Sequence, residues 1–398
     1  MDIADNIKFY IMNKGDYIMK RKLIIFILII TITATSCNTN PVSVTISSSL
    51  TQSPDLSQMP SETVVETPLT GISTSPNPLM TTDDERWYDW DITGSPPIYN
   101  TGIGFSIKIT SDEENIYFFE DDEKKNELNL IKASYDGSNR VIIDRNKGEK
   151  NSFFTNNIIY YNNWIYYSID NAFYKIKPDG SGKTKIYEGI SPIYSFLIID
   201  GKYYFQDDDT GLLSYYDETG EIIGYDYMES EFLYYDNGNL YYLHYLGNDD
   251  NNYFLMALDL NNNQSLKIDY NINTDYLGYP NFIIYKGIIY AQKDPYLIEC
   301  YDINNNKTEK VSLNGFKFMH NPCAYKHSIL FIAEGKDKNI DYLIQFDIKS
   351  KIITKLCDIP ANIFEIYPTR IGVYLADNNS YYVLKFDNQE YKVVPLEE

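Results

Sequence analysis

Basic residues are scarce in this 398-residue chain, with 34 Lys and Arg against 56 Asp and Glu. A balance so acidic disfavours nucleic acid and other polyanions, and suits a solvated surface that faces cations or basic partners. Histidine is rarer still. His244, His320 and His327 have no acid or Cys at the spacing a zinc site requires, so packing or surface roles are expected for all three. Cysteine is confined to Cys37, Cys300, Cys323 and Cys357. Three of these lie in the folded part, which allows at most one bridge and excludes a disulfide scaffold. Cys300, Cys323 and Cys357 read as buried thiols on strands, and His327 lacks an orienting third group that would make a nucleophile of a nearby Cys. Long hydrophobic runs are absent too. The longest, Leu23 to about Ala34, is too short to span a bilayer comfortably.

That run belongs to "MKRKLIIFILIITITATSC", residues 19–37. Lys20, Arg21 and Lys22 precede it and small residues follow it, the three zones of a secretion signal. The exit "ATSC" resembles the bacterial lipobox, with Ala34 in place of the usual Leu; it implies cleavage before Cys37 and a diacylglycerol on that thiol. The alternative is an ordinary cleaved signal with Cys37 near the cut by coincidence. Residues 1–18 fit poorly before such a signal and read as a translated leader, with Met19 the expected start. Residues 37–83 are a lipid-anchored linker: positions 38–82 hold 9 Ser, 9 Thr and 6 Pro, with no aromatic, Lys or Arg. Such a segment cannot bury enough to offset its ordering entropy. Residues 84–104, including "RWYDWDITGSPPIY" at 86–99, form a lead-in that is expected to cover a face or lend an edge strand.

What is abundant is tyrosine, 39 copies, and it recurs in a pattern. Short arms "NIYFF" (115), "WIYYS" (164), "KYYFQ" (202), "NLYYL" (239), "IIYAQ" (288), "SILFI" (328) and "GVYLA" (372) each precede a second arm ending in an acidic turn. The turn aspartates are Asp136, Asp179, Asp217, Asp259, Asp302, Asp347 and Asp387, at intervals of 43, 38, 42, 43, 45 and 40. Seven landmarks so evenly spaced mark a repeat architecture over 105–398. Each copy divides into four extended pieces joined by corners such as Asn162-Asn163, Asp200-Gly201 and Asn237-Gly238, whose residues tolerate positive φ.

The second piece decides the architecture. In "NIYFF", Ile116 and Phe118 point one way and Tyr117 and Phe119 the other, so neither face is wet. An open sheet would alternate apolar and polar; a blade pressed between two neighbours would not. The fourth piece is more polar, as a rim strand should be. The expectation is therefore all-β: a seven-bladed β-propeller of four-stranded antiparallel blades, with six or eight blades as neighbouring solutions. A solenoid would want polar caps, and none is apparent.

With "IYY…LYKI…DGSGKTKL"-like residues at Trp164 to Tyr187, and looser copies at Tyr203 to Gly220 and Leu240 to Asn263, the chain resembles the bacterial domain of unknown function 5050. That group is named for its likeness to the propeller of low-density lipoprotein receptor-related proteins. The resemblance implies a propeller fold and an extracytoplasmic address, with no agreed activity. The Tyr-Trp-Thr-Asp strand of the receptors is absent, so their ligands do not transfer.

Chemistry is thinly signalled. "DINNNKTE" from Asp302 lacks the Gly and Glu of an EF-hand, having Lys307 and Leu313 there, and reads as a turn. "DGSG" at 179–182 opens no helix for a phosphate, and the sialidase Asp-box is missing. One collective feature stands out. Loops between second and third strands, which should share a face with the inter-blade connections, hold 16 acids against 5 Lys. Asp207, Asp208, Asp209, Asp249 and Asp250 are the calcium candidates among them; no other cofactor is indicated. The expected function is a binding or scaffold lipoprotein on the outer face of the bacterial cytoplasmic membrane. Its acidic loop face would take a protein, peptide or cell-wall glycan, its only membrane contact would be the lipid on Cys37, and it would be a monomer that binds no nucleic acid. The alternatives are a carbohydrate-active enzyme with acids at the central pocket, or a sensory lipoprotein.

Overall fold

The computed structural model describes residues 107–396 apart from 123, 148–156, 190–192, 194–195, 208–211, 217–221, 228–232, 237, 246–252, 272–281, 336–338, 378–379 and 388–389. The expectations placed on residues 1–104, Cys37 among them, lie outside the described residues.

The corners explain the local structure. Asn162 and Asn163 both take positive φ (47° and 60°), as do Asp200 with Gly201 (50° and 76°) and Lys286 with Gly287 (49° and 72°). Two consecutive residues of that sign make the tight turn whose twist matches a hairpin. Five turn aspartates, Asp136, Asp179, Asp259, Asp302 and Asp347, cap the corner between third and fourth strands by accepting backbone N–H groups. Asp179 accepts from Ser181 at 2.8 Å, Asp259 from Asn261 at 2.8 Å, Asp302 from Asn304 at 2.9 Å and Asp347 from Ser350 at 2.6 Å. The recurrence of Asp thus has a local cause. At Asp302 the carboxylate accepts from Asn304 N, Asn305 N and Asn305 Nδ2, the hydrogen bonds of a turn.

The strands form seven sheets of four, each an antiparallel meander in sequence order. Blades 1 to 7 occupy 109–147, 158–188, 196–227, 233–271, 282–312, 318–360 and 365–395. This is a seven-bladed β-propeller. The second strand is sealed on both faces, as in Ser328–Ala333, where every residue is buried. Ile116 and Phe118 pack toward blade 7, whereas Tyr117 and Phe119 pack toward blade 2. Fourth strands are wet, as in Lys307–Ser312, almost wholly exposed.

Six apolar clusters fill all seven joints: blades 1–2, 2–3, 3–4, 4–5–6, 6–7 and 7–1. The ring closes by packing, because blade 7 supplies all four of its own strands. At that seam Ile109, Phe118 and Ile131 meet Tyr367, Tyr374 and Val383. Polar contacts accompany them: Lys108 Nζ lies 3.0 Å from both oxygens of Glu365, Arg370 N donates to Ser111 Oγ at 3.1 Å, and the Tyr374 hydroxyl donates to the Tyr135 carbonyl at 2.8 Å.

The signature stretch of blade 2 is a clamp on blade 1. A Cβ on Gly180 (φ 82°) would stand 3.0 Å from the Ile143 carbonyl oxygen, and one on Gly182 (φ 70°) would stand 3.2 Å from the Trp164 ring. Lys183 Nζ then reaches Asp144 Oδ2 at 2.7 Å and Asn146 Oδ1 at 2.9 Å. The residues that carry the resemblance hold blades together.

Candidate functional site

In a meander the loops between second and third strands emerge beside the connections that lead to the next blade. Hydrogen bonds tie loop to connection in blades 2, 5 and 6. Gly189 N donates to the Asn171 carbonyl at 2.8 Å and Ile193 N to the Asp170 carbonyl at 3.0 Å, both within blade 2 and its exit. Leu313 N donates to the Tyr296 carbonyl at 2.8 Å in blade 5, and Ala361 N to the Asn339 carbonyl at 3.2 Å in blade 6. Satisfied backbone on both sides makes this face a built surface.

Many of its described acids are already engaged. Asp122 Oδ2 accepts from Lys125 Nζ at 2.6 Å, and Glu120 pairs with Arg140. Asp341, 5% exposed, accepts the Gly335 N–H at 3.1 Å. Asp377 accepts from Asn362 Nδ2, Ser380 N and the Tyr382 hydroxyl at 2.5, 2.7 and 3.0 Å. Glu334 pairs with Lys317. A sequence count of charges overstates what such a face offers, because turn caps and ion pairs use much of it.

Of the calcium candidates, Asp207 ends the strand Lys202–Asp207 opposite Leu212. Asp208, Asp209, Asp249 and Asp250 lie outside the described residues. Among the described residues no group of three or more His, Cys, Asp or Glu could hold a metal ion. His244 is in register with Phe254 and His320 with Ile332, and the His327 carbonyl accepts the Ile348 N–H at 2.9 Å.

Cys300, Cys323 and Cys357 are free and buried. Burial pushes the thiols of Cys300 and Cys357 up to about 12, and that of Cys323 up as well. A thiol so far from its thiolate is a poor nucleophile at neutral pH.

An inner-strand carboxylate that sequence reasoning missed is Glu365, 2% exposed, at the loop-face end of blade 7. It takes the Tyr367 hydroxyl at 2.6 Å as well as Lys108. Burial, with the Glu365 carboxylate beside it, holds the Tyr367 phenol well above its ordinary range. The group is sealed into the 7–1 seam and works as part of the closure. Sequence reasoning also missed Tyr296, 49% exposed on the loop face of blade 5. Its Pro-preceded turn, "KDPY", was the available signal.

No family model and no curated protein matches the chain. Among solved structures it is similar to the extracellular domain of a protein from B. thetaiotaomicron described as a one-component system. Identity is 11%, the TM-score is 0.49, and the match covers 75% of this chain and 40% of that one. It is also similar to an uncharacterized protein of Listeria monocytogenes, with 13% identity, a TM-score of 0.48, and 76% and 97% of the two chains covered. The chain thus spans 40% of the length of the first of these. The propeller rests on the strand topology, and the likeness to the domain of unknown function 5050 stands at the level of that fold.

Proposed function

We propose that the chain is a lipid-anchored binding module, held by Cys37 on the outer face of the bacterial cytoplasmic membrane. It presents the loop face to a peptide, an envelope protein or a wall polymer. One observation carries this reading. The residues that repeat are spent on the framework, as turn caps, blade clamps and buried rings, whereas the loops of one face differ in sequence from blade to blade and, in blades 2, 5 and 6, are bonded to the connection that leaves the blade. A framework with interchangeable loops is how propellers offer recognition surfaces. The signal at 19–36 and the Ser/Thr/Pro tether at 37–83 support the address, and membership of the domain of unknown function 5050 would agree with both.

The test is co-sedimentation of the mature chain with purified cell-wall sacculi, alongside retention of soluble envelope peptides. Wild type is expected to be retained by one of them. Joint reversal of Asp121, Asp122 and Glu127 to Lys should weaken retention, while Lys307→Glu on the opposite face should not. Retention by neither, or equal loss from both variants, overturns the reading.

A further inference from the structure

Among the described residues, twelve other than glycine take positive φ; nine are Asn or Asp, and the other three are Lys286 (49°), Lys326 (52°) and Lys351 (59°). Asn and Asp enter that region readily because their short polar side chains bond locally, a compensation lysine lacks. The three lysines stand where other blades keep Asn or Asp. Lys286 and Lys326 open the corner between first and second strands, the place of Asn162 in blade 2 and Asp200 in blade 3. Lys351 follows its turn aspartate by four positions, as Asn263 and Asn306 do. Backbone strain borne by one residue type in one place points to a use outside the backbone.

All three lie in adjacent blades 5 and 6, at the end of the ring opposite the loop face. Backbone bonds join corner to turn there: Ile303 N donates to the Gly287 carbonyl at 3.0 Å, and Ile348 N to the His327 carbonyl at 2.9 Å. Lys351 crosses the joint between the blades, its Nζ 3.5 Å from Glu309 and 6.0 Å from the centre of the Tyr290 ring. Lys286 and Lys326 stand 5.4 and 5.5 Å from the centres of the Tyr285 and Tyr325 rings. An aromatic face steadies an ammonium without cancelling its charge. The corners and turns of the two blades, 285–288, 302–309, 325–328 and 347–352, are all described and hold five Lys against three acids, a net charge of +2 in a chain of −22. Asp302 and Asp347 accept N–H groups of their own turns, and Glu309 pairs with Lys351. On the flanks, Asp236 and Asp259 of blade 4 also accept backbone N–H groups, and blade 7 sets Lys385 and Lys392 against Asp387 and Glu390. The undescribed residues in the flanking turns, 237 and 388–389, are Asn, Asn and Gln and carry no charge.

Beside an anionic surface, a molecule divided in this way has one favourable orientation, with the basic sector toward the surface and the acidic remainder away from it. Ile352, next to Lys351 and 48% exposed, adds an aliphatic group whose burial among headgroups is favourable. We propose that the corner face of blades 5 and 6 docks on anionic phospholipid through the ammonium groups of Lys286, Lys326 and Lys351. This rests on the membrane address in the reading above and adds a contact beyond the lipid on Cys37, the only one expected from the sequence. A few lysines bind a leaflet weakly, but a tether holds them at high effective concentration beside it, so weak binding is enough to orient the ring. The loop face, at the other end, is then turned outward.

Vesicle co-sedimentation tests it, using the full mature chain with Cys37→Ser so that no acyl group contributes. Vesicles of equal parts phosphatidylglycerol and phosphatidylcholine should bind the protein, and phosphatidylcholine alone should not. A lysine near an anionic leaflet is worth about fivefold in partitioning, so the joint variant Lys286→Asn, Lys326→Asn, Lys351→Asn should bind at least about tenfold more weakly. Its melting temperature should be equal to that of wild type or higher, because Asn suits positive φ, and the lost binding is then not lost folding. The same three residues changed to Arg should bind within about threefold of wild type. So should Lys124→Asn, Lys125→Asn, Lys147→Asn, which removes the same charge from blade 1. Raising salt to about 0.5 M should release the protein. No binding at about 5 mM lipid, or equal binding by wild type and the triple Asn variant, overturns the proposal. Retention by an anionic wall polymer without vesicle binding overturns it as well. Vesicle binding that survives failure of the sacculus and peptide assays supports this contact while the loop-face reading falls.

Discussion

Blades 4, 5 and 6 and the sector formed by blades 7, 1 and 2 solve the same packing problem differently. The first share one continuous apolar cluster, with Leu255, Ile283, Ile289, Phe331 and Ile344 fully buried in it, and the inner strand Phe282–Tyr285 is buried throughout. The second is threaded with polar groups. Thr110, Ser111, Asn157, Glu365 and Thr369 are all buried there, and Tyr160 N donates to Thr110 Oγ1 at 3.0 Å across the 1–2 joint. Chain connectivity accounts for the ion pair at the seam. Blades 4 to 6 follow one another along the chain, and their shared apolar packing is joined by local bonds such as those from the Lys286 and Gly287 N–H groups to Asp236. The 7–1 seam joins Lys108 to Glu365, 257 positions apart, with no connection to hold the register. Apolar surfaces slide past one another, whereas charge-assisted hydrogen bonds have a preferred geometry. The seam is written in the interactions that specify position.

The largest effect should come from the apolar sector. Phe331 is fully buried on the second strand of blade 6, and Phe331→Ala removes its ring from the joint with blade 5. A loss of about 3–5 kcal/mol is expected in denaturant unfolding, with the denaturant slope unchanged if the ring unfolds as a unit. A loss below about 1 kcal/mol would mean that the shared cluster contributes little, and the contrast would fail.

Next is the seam itself. Glu365→Gln leaves the Lys108 ammonium facing an amide and should cost about 2–4 kcal/mol. The double variant Lys108→Met with Glu365→Met should recover most of that, because no unpaired charge remains. If the pair sets register, the double variant will be nearly as stable as wild type, yet amides of strands Ile109–Ser111 and Glu365–Pro368 will exchange faster. Unaltered exchange there would reduce the pair to a simple stabiliser.

This contrast also marks what could be read from residues alone. The blade number, the doubly sealed second strand at Ile116–Phe119 and the wet fourth strands follow from short-range patterns, and each is observed. Turn aspartates were legible as turns, since Asp caps the N–H groups two or three residues on. The Lys108–Glu365 pair was not, because nothing local distinguishes a glutamate that meets a lysine on the far side of the ring. Tyr296 shows the intermediate case. Its turn is visible in "DPY", but the exposure of its ring is a tertiary property that those residues do not fix. A count of acids also does not register that some, such as Asp341 and Asp377, are committed to hydrogen bonds within the loops.

The smallest effect is a difference of sign between the sectors. Asp144, at the 1–2 joint, is pulled upward by burial. The Lys183 ammonium, the Tyr167 hydroxyl at 2.6 Å and the Asn146 amide at 2.8 Å outweigh that and hold its carboxyl below the ordinary value of 3.8. Asp236, at the 4–5 joint, is pushed above 3.8 by burial, which the N–H groups of Lys286 and Gly287 at 3.0 and 2.8 Å offset only in part. By linkage, a lowered carboxyl contributes stability that is full above its unfolded value and disappears as pH falls through its folded one. A raised carboxyl does the opposite, because the native state keeps its proton longer, so stability falls as pH rises from the unfolded value through the folded one. Wild type should therefore lose its advantage over Asp144→Asn, about 1–2 kcal/mol at neutral pH, as the solution is acidified below about pH 4. Against Asp236→Asn it should gain over the same descent, beginning at higher pH. Parallel urea titrations of the three proteins, each across the acid range, read both slopes. Slopes of one sign would show that acids at the two joints feel the same environment, and the division of the ring into a specified sector and a packed one would have no electrostatic counterpart.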